Sequence, residues 1–135
     1  MKKLILLPVV FMWIGCDYAD SRLHVINESP LTISVYEMNG SKGEIQNNLE
    51  YYQSNIIHPK DTAALKKFGK NEWINYVEKS PEKRLYLYFF DIDTLNRYQH
   101  KADMNYLIGS KKYLKRVDFS LDQLNQMNWE IHYRK

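Results

Sequence analysis

Several short stretches of the chain alternate apolar and polar residues with a period of two, the pattern of a strand that packs one face and wets the other. In Leu31 to Glu37, the residues Leu31, Ile33 and Val35 alternate with Thr32, Ser34 and Tyr36, so the second set is expected to meet water. Arg22 to Asn27 is a second β-rich run, and Glu28-Ser29-Pro30 between the two predicts a hairpin. At the far end, Trp129, Ile131 and Tyr133 alternate against Glu130, His132 and Arg134, which predicts a closing strand. Tyr113 to Phe119 reads as a further strand, with Tyr113, Val117 and Phe119 on one face and Leu114 and Arg116 on the other. Leu85 to Phe90 differs from all of these because every position is apolar or aromatic. Such a strand needs cover on both faces and belongs in the middle of the fold. Asn55 to His58 is a short strand stopped by Pro59.

Helical signals are brief. Asn71 is placed as the N-cap of a helix over Glu72 to Lys79, where Trp73 and Val77 lie one turn apart and Ser80-Pro81 ends the segment. Asp93 to His100 predicts a second short helix. Ser120-Leu121-Asp122-Gln123 has the Ser and Gln spacing of a capping box, with Asp122 adding favourable charge to the first turn. Met38 to Asn48, polar and containing Gly40 and Gly43, reads as a loop, and Lys60 to Lys70 as a lysine-bearing connection. The fold class expected is mainly β, an antiparallel sandwich-like domain with a few short helices, with an α+β open sheet as the alternative. Eleven tyrosines favour sheet over helix bundle, and 135 residues leave room for one domain of ordinary size.

The N-terminus follows different rules. Lys2 and Lys3 precede 11 uncharged residues, Leu4 to Ile14, which end at Gly15 and Cys16. That is the layout of a secretory signal peptide, too short for a membrane span of ~20 apolar residues. Trp13-Ile14-Gly15-Cys16 resembles a bacterial lipobox, with Trp13 standing where Leu is usual. The resemblance implies lipid attachment at Cys16, the single Cys of the chain, and cleavage just before it. Residues 1–15 are then a signal peptide, 16–21 the lipidated Cys and a short tether, and 22–135 one sheet-rich globular domain. The implied partner is a membrane, reached through acyl chains on Cys16, and the implied location is the cell envelope, at the outer membrane. Loss of Lys2 and Lys3 leaves 17 basic against 16 acidic side chains, too even a balance for the basic face that nucleic acid requires.

Three stretches carry a broader resemblance: Val25 to Tyr36, Leu85 to Phe90 followed by Asp91 and Asp93-Thr94-Leu95, and Arg116 to Tyr133 with its Asn128-Trp129-Glu130-Ile131-His132-Tyr133 ending. Together they resemble small lipoproteins of Bacteroidota of uncharacterised function. Arg134 departs from the pattern, which commonly has Pro after that Tyr. The resemblance implies an envelope location and a sheet-rich fold and brings no catalytic residue with it.

The candidate chemistry is sparse. Asp91 and Asp93 after an apolar strand resemble the nucleophile motif of haloacid-dehalogenase-like phosphatases, which are magnesium-dependent, but Thr94 follows Asp93 without the intervening residue that motif keeps. Turn and cap roles are the expectation for these carboxylates. His24, His58, His100 and His132 show no metal-ligand spacing, so neither a metal nor another cofactor is expected. Lys111-Lys112-Tyr113-Leu114-Lys115-Arg116 is the densest basic run, read as the solvated lysine cluster of an edge strand or as a patch for a membrane or anionic glycan. Tyr51-Tyr52 beside a polar loop could stack on sugar rings. Asp61-Thr62-Ala63 and Asp93-Thr94-Leu95 both resemble the three-residue O-glycosylation acceptor of Bacteroidota. The expected role is a binding or scaffolding module without catalysis, with a glycan-binding accessory protein as the alternative.

Overall fold

The computed structural model describes residues 18–40 and 48–135; Cys16, the signal-like segment before it and the middle of the Met38 to Asn48 loop lie outside them. The described residues form seven strands and five short helices: β1 (Ala19–Asn27), β2 (Ile33–Met38), α1 (Leu49–Ser54), β3 (Ile56–Ile57), β4 (Thr62–Phe68), α2 (Glu72–Glu78), β5 (Arg84–Asp91), α3 (Ile92–Tyr98), α4 (Met104–Gly109), β6 (Lys115–Ser120), α5 (Leu121–Gln126) and β7 (Glu130–Tyr133). They make two open sheets, one in the order β4-β1-β7 and one in the order β3-β2-β5-β6. Every pairing is antiparallel except β1 with β7, which is parallel, so the sheets are antiparallel-dominated as expected, with one parallel pair at the C-terminus.

The predicted β1–β2 hairpin does not form, because the two strands belong to different sheets. The cause is Asn27, whose fully buried side chain makes the bonds of a corner rather than of a ladder. Its Nδ2 donates to the Leu31 carbonyl at 2.7 Å and the Ile57 carbonyl at 3.0 Å, while its Oδ1 accepts from the Ser29 amide and hydroxyl at 3.1 and 2.7 Å. With Pro30 unable to donate to a ladder, the chain turns out of the first sheet and into the second.

The β5 strand is central, between β2 and β6, and is covered on both faces. Leu85, Leu87 and Phe89 point into one core, shared with Leu23 and Val25 of β1, Ile33 and Val35 of β2, Ile131 and Tyr133 of β7, and Trp73, Val77 and Leu124 from α2 and α5. Phe89 and Tyr133 stack across the sheets with centroids 4.6 Å apart. Tyr86, Tyr88 and Phe90 point the other way into a second core with Tyr36, Met38, Tyr52, Leu95, Met104 and Leu107, roofed by α1, α3 and α4. This second core overturns the expectation that Ser34 and Tyr36 meet water: Ser34 is fully buried and Tyr36 nearly so. It also divides the predicted β6 face, since the Tyr113 ring packs on Tyr88 and Phe90 while Val117 and Phe119 join the first core.

Two further elements differ from the sequence expectation. Lys60 to Lys70 holds β4, an edge strand that turns Ala63 and Leu65 inward and leaves Lys66 and Phe68 exposed. The helix α4 arises after Asp103, whose carboxylate accepts the Tyr106 amide at 2.8 Å. The capping box at Ser120 is present, with Gln123 and Ser120 bonding each other's backbone amides. Asn71 does precede α2, but at φ 56° it makes no side-chain cap; the Trp73 amide donates instead to Asp20 of β1 at 3.1 Å. The turn between β4 and α2 also needs Gly69, at φ 122°, where a Cβ would stand 2.5 Å from the Glu72 side chain.

Candidate functional site

Between β4 of one sheet and β2–β3 of the other lies a cleft of about 340 Å³. Tyr51 and Asn55 stand on one wall, Ala63 and Leu65 on another, with Glu37 also lining the space. Each of these is placed by local structure. The Asn48 carboxamide caps α1 by accepting the Tyr51 amide at 3.0 Å, and Asn55 closes the helix by donating to the Tyr51 carbonyl at 2.7 Å. Glu37, the penultimate residue of β2, lies opposite Leu87 of β5 and pairs with Lys67 of β4 at 3.5 Å. Lys67 in turn lies over two rings, 3.8 Å from the centroid of Tyr76 and 4.7 Å from that of Trp73.

The electrostatics of the cleft follow from burial. Desolvation pushes the Glu37 carboxyl above its ordinary range, and the Lys67 ammonium partly pulls it back. The Tyr51 hydroxyl is raised first by burial and then by the negative charge of Glu37. The lining thus offers a carboxylate acceptor, a side-chain amide and a tyrosine ring that is 50% exposed. That set can orient a neutral hydroxyl-bearing ligand. The lining residues include one carboxylate and neither Ser, Cys nor His, so paired-acid or nucleophile–base chemistry finds no constellation in the cleft.

Of the tyrosine pair, the structure keeps one member at the surface and removes the other. Tyr52 is 2% exposed, in the second core against Tyr36, and its ring stands at 87° to that of Tyr51. The pair is therefore not a shared stacking platform, and Tyr52 is corrected to a packing residue. Tyr52, four residues after the Asn48 cap, is the buried residue of α1, while Tyr51, one position earlier on the helix, remains out. Trp73 and Trp129 are also buried, the first with its indole donating to the Leu65 carbonyl at 2.9 Å and the second to Asn125 at the same distance.

The other candidates are dispersed. Asp91 caps α3, accepting the Asp93 amide at 3.0 Å, and Asp93 lies exposed in the first helical turn. His24 bonds the Arg22 carbonyl, His58 lies beside Thr32, His132 pairs with Glu28, and His100 follows α3 at φ 60°. Among the described residues no three His, Cys, Asp or Glu side chains gather as a metal site. The basic run leads into β6, an edge strand, where Arg116 is held over the Tyr86 ring at 4.6 Å. Thr62 opens β4 in an exposed position, whereas Thr94 sits in α3 next to the buried Leu95. Cys16 lies outside the described residues.

Glu37, Lys67 and Asn55 are site residues that sequence reasoning missed. The available signal was the alternation of Ala63, Leu65 and Lys67 against Ala64, Lys66 and Phe68, which marks a strand and places Lys67 on its inner face. No helix among the described residues is long and apolar enough to cross a membrane. Comparison with protein-family models, curated proteins and solved structures gives no match to this chain.

Proposed function

We propose that the chain is a lipid-anchored protein of the bacterial cell envelope, at the outer membrane, whose folded part is a non-catalytic binding module. In this reading the two sheets stack as a β-sandwich and the cleft at their β3–β4 side receives the ligand. The anchor is supported by the basic head, the short apolar run and the placement of the single Cys at its end. The binding role is carried by one observation: Tyr51, Asn55 and Glu37 border a single 340 Å³ cleft. Two or three acyl chains on Cys16 would hold the body at the membrane, since one chain binds only marginally.

The test of the anchor is fractionation of cells expressing the full chain. The wild type is expected in the membrane fraction with acyl mass on the residue-16 peptide, and Cys16→Ala in the soluble fraction. An unmodified Cys16 in membrane-extracted protein refutes the anchor.

A glycan is the ligand class favoured by the half-exposed Tyr51 ring, because sugars stack on aromatic faces while their hydroxyls donate to carboxylates. Titration with β-linked hexose and N-acetylhexosamine oligosaccharides is expected to broaden or shift resonances of residues 51–57 and 63–66. Tyr51→Ala should weaken binding about tenfold or more, at a cost of about 1 kcal/mol in stability from the lost edge-to-face contact with Tyr52. Saturating oligosaccharide that leaves these resonances unmoved refutes the glycan reading.

A further inference from the structure

The two most exposed large apolar side chains in the described residues, Phe68 at 82% and Tyr18 at 59%, are neighbours. Ala19 pairs with Phe68 across the β1–β4 ladder, and the Gly69 amide donates to the Tyr18 carbonyl at 2.8 Å. The sequence around them is Lys66-Lys67-Phe68-Gly69-Lys70. Lys67 is turned inward to Glu37, but Lys66 and Lys70, two residues to either side of Phe68, are exposed. Among the described acids nearby, Asp20 is buried against Arg22 and the Trp73 amide, and Glu72 accepts from Asn75 at 3.1 Å; Asp17 directly precedes Tyr18 in the sequence.

Two exposed aromatic residues at one end of a sheet edge, with lysines beside them in the sequence, match the chemistry of a membrane–water interface, where rings sit at headgroup level and ammonium groups meet lipid phosphates. We propose that the Tyr18–Phe68 end of the first sheet docks on the lipid surface, with Phe68 entering the interface and Lys66 and Lys70 contacting anionic headgroups. This rests on the proposed acylation of Cys16. Cys16 is two residues before Tyr18, and two fully extended residues reach at most ~7 Å. The headgroup region on each side of a bilayer is about that thick, so the anchor brings this edge, rather than another part of the fold, to the membrane. Asp61, at the opposite end of β4, then stands roughly 20 Å further out, while Lys66 lies between the lipid-facing end and the Tyr51 cleft, whose lining it also joins.

The experiment uses the acylated full-length protein, whose Cys16 thiol is consumed, so that a substituted Cys accepts a unique fluorophore. Phe68→Cys and Asp61→Cys are labelled with an environment-sensitive dye and reconstituted in vesicles of phosphatidylethanolamine and phosphatidylglycerol, with and without nitroxide-labelled lipid. The label at 68 is expected to shift to the blue and to be quenched at least threefold more than the label at 61. Equal quenching in protein that floats with the vesicles overturns the docking surface and leaves the anchor intact, whereas protein that does not float overturns both. Shielding of the label at 68 that grows with protein concentration in the absence of lipid assigns the patch to a second copy of the chain and also overturns the proposal. Lys66→Glu combined with Lys70→Glu is expected to lower quenching at 68 in these anionic vesicles and not in phosphatidylcholine, and equal behaviour in both lipids refutes the headgroup contacts.

Discussion

Removal of the Asp20 carboxylate should be among the most damaging single changes to this fold. Asp20 is 3% exposed and serves three donors: Arg22 Nε at 2.8 Å, the Arg22 amide at 3.4 Å, and the Trp73 amide, in the first turn of α2, at 3.1 Å. One side chain thus starts a helix from a strand of the first sheet. Asp20→Ala removes a helix cap, worth ~1 kcal/mol, and a charge-assisted bond to Arg22, worth about 1.5–3 kcal/mol. A loss of about 3 kcal/mol follows, or roughly 10 °C in Tm for a domain of this size. Asp20→Asn keeps an acceptor for Trp73 and gives up the charge, so it should lose about half as much. Burial alone would raise the Asp20 carboxyl, but its bonds from Arg22 and Trp73 outweigh this and hold it below the ordinary range. A folded-state pKa depressed in this way contributes stability above the unfolded value near 4, and that stability is lost as pH falls below it. Urea unfolding followed by tryptophan fluorescence reads both effects, since Trp73 reports on the helix itself. A ΔΔG under ~0.5 kcal/mol for Asp20→Ala would refute the cap, and an Asp20→Asn variant that keeps the wild-type loss of stability below pH 4 would refute the electrostatic part.

The buried Ser34 hydroxyl has no hydrogen-bond partner among the described residues, so Ser34→Ala should leave stability unchanged or raise it by ~1 kcal/mol, read as Tm by calorimetry. Glu28 accepts from Arg134 and His132, with Arg134 the larger influence, and its carboxyl is held down to about 2. Because the folded value is depressed, this fastening of β7 to the β1–β2 corner is present above pH ~4.5 and is lost as pH falls toward 2, so amide exchange along residues 130–133 should accelerate over that window. Glu28→Gln should flatten this part of the response, and because the group is exposed, added salt should weaken the wild-type effect.

Much of the β framework can be read from local pattern because each strand reports its own burial. Leu85 to Phe90 announces a doubly covered strand, and the Ser120 to Gln123 spacing announces a helix start, without reference to anything distant. What escapes is decided by partners far along the chain. Whether Ser34 and Tyr36 meet water depends on α1, α3 and α4 closing over them, and α4 lies some seventy residues downstream. Asn71 looks like a cap, yet Asp20 does the capping from the other end of a long-range contact, and Asn71 accepts instead from Arg22 at 2.7 Å. The Lys60 to Lys70 strand is obscured because lysine has low β propensity, while edge strands favour it as a guard against pairing with another sheet. The cleft was illegible for a related reason: Glu37 and Lys67 are thirty residues apart and meet only because β2 and β4 approach from different sheets.

That arrangement also decides where function can reside. Residues on one face of the four-stranded sheet share a core with residues of the three-stranded sheet, and residues on its other face share a core with α1, α3 and α4, so both of its faces carry buried side chains. Two clefts open at the sides where edge strands of the two sheets stand apart. At the β6–β7 side the gap is lined by Val117, Phe119, Ile131 and Tyr133 and is predominantly apolar. At the β3–β4 side it is polar, with Glu37 and Asn55 beside the Tyr51 ring. A soluble hydroxylated ligand requires fixed acceptors and donors together with a ring to stack on, and the second opening sets the partly buried Glu37 and the helix-closing Asn55 beside the Tyr51 ring. Substitution at Tyr51 should therefore separate binding from stability better than substitution at Asn55, which also closes α1. Changes at Glu37 should not, because its carboxylate also holds Lys67 over the Tyr76 and Trp73 rings that close the core beneath it.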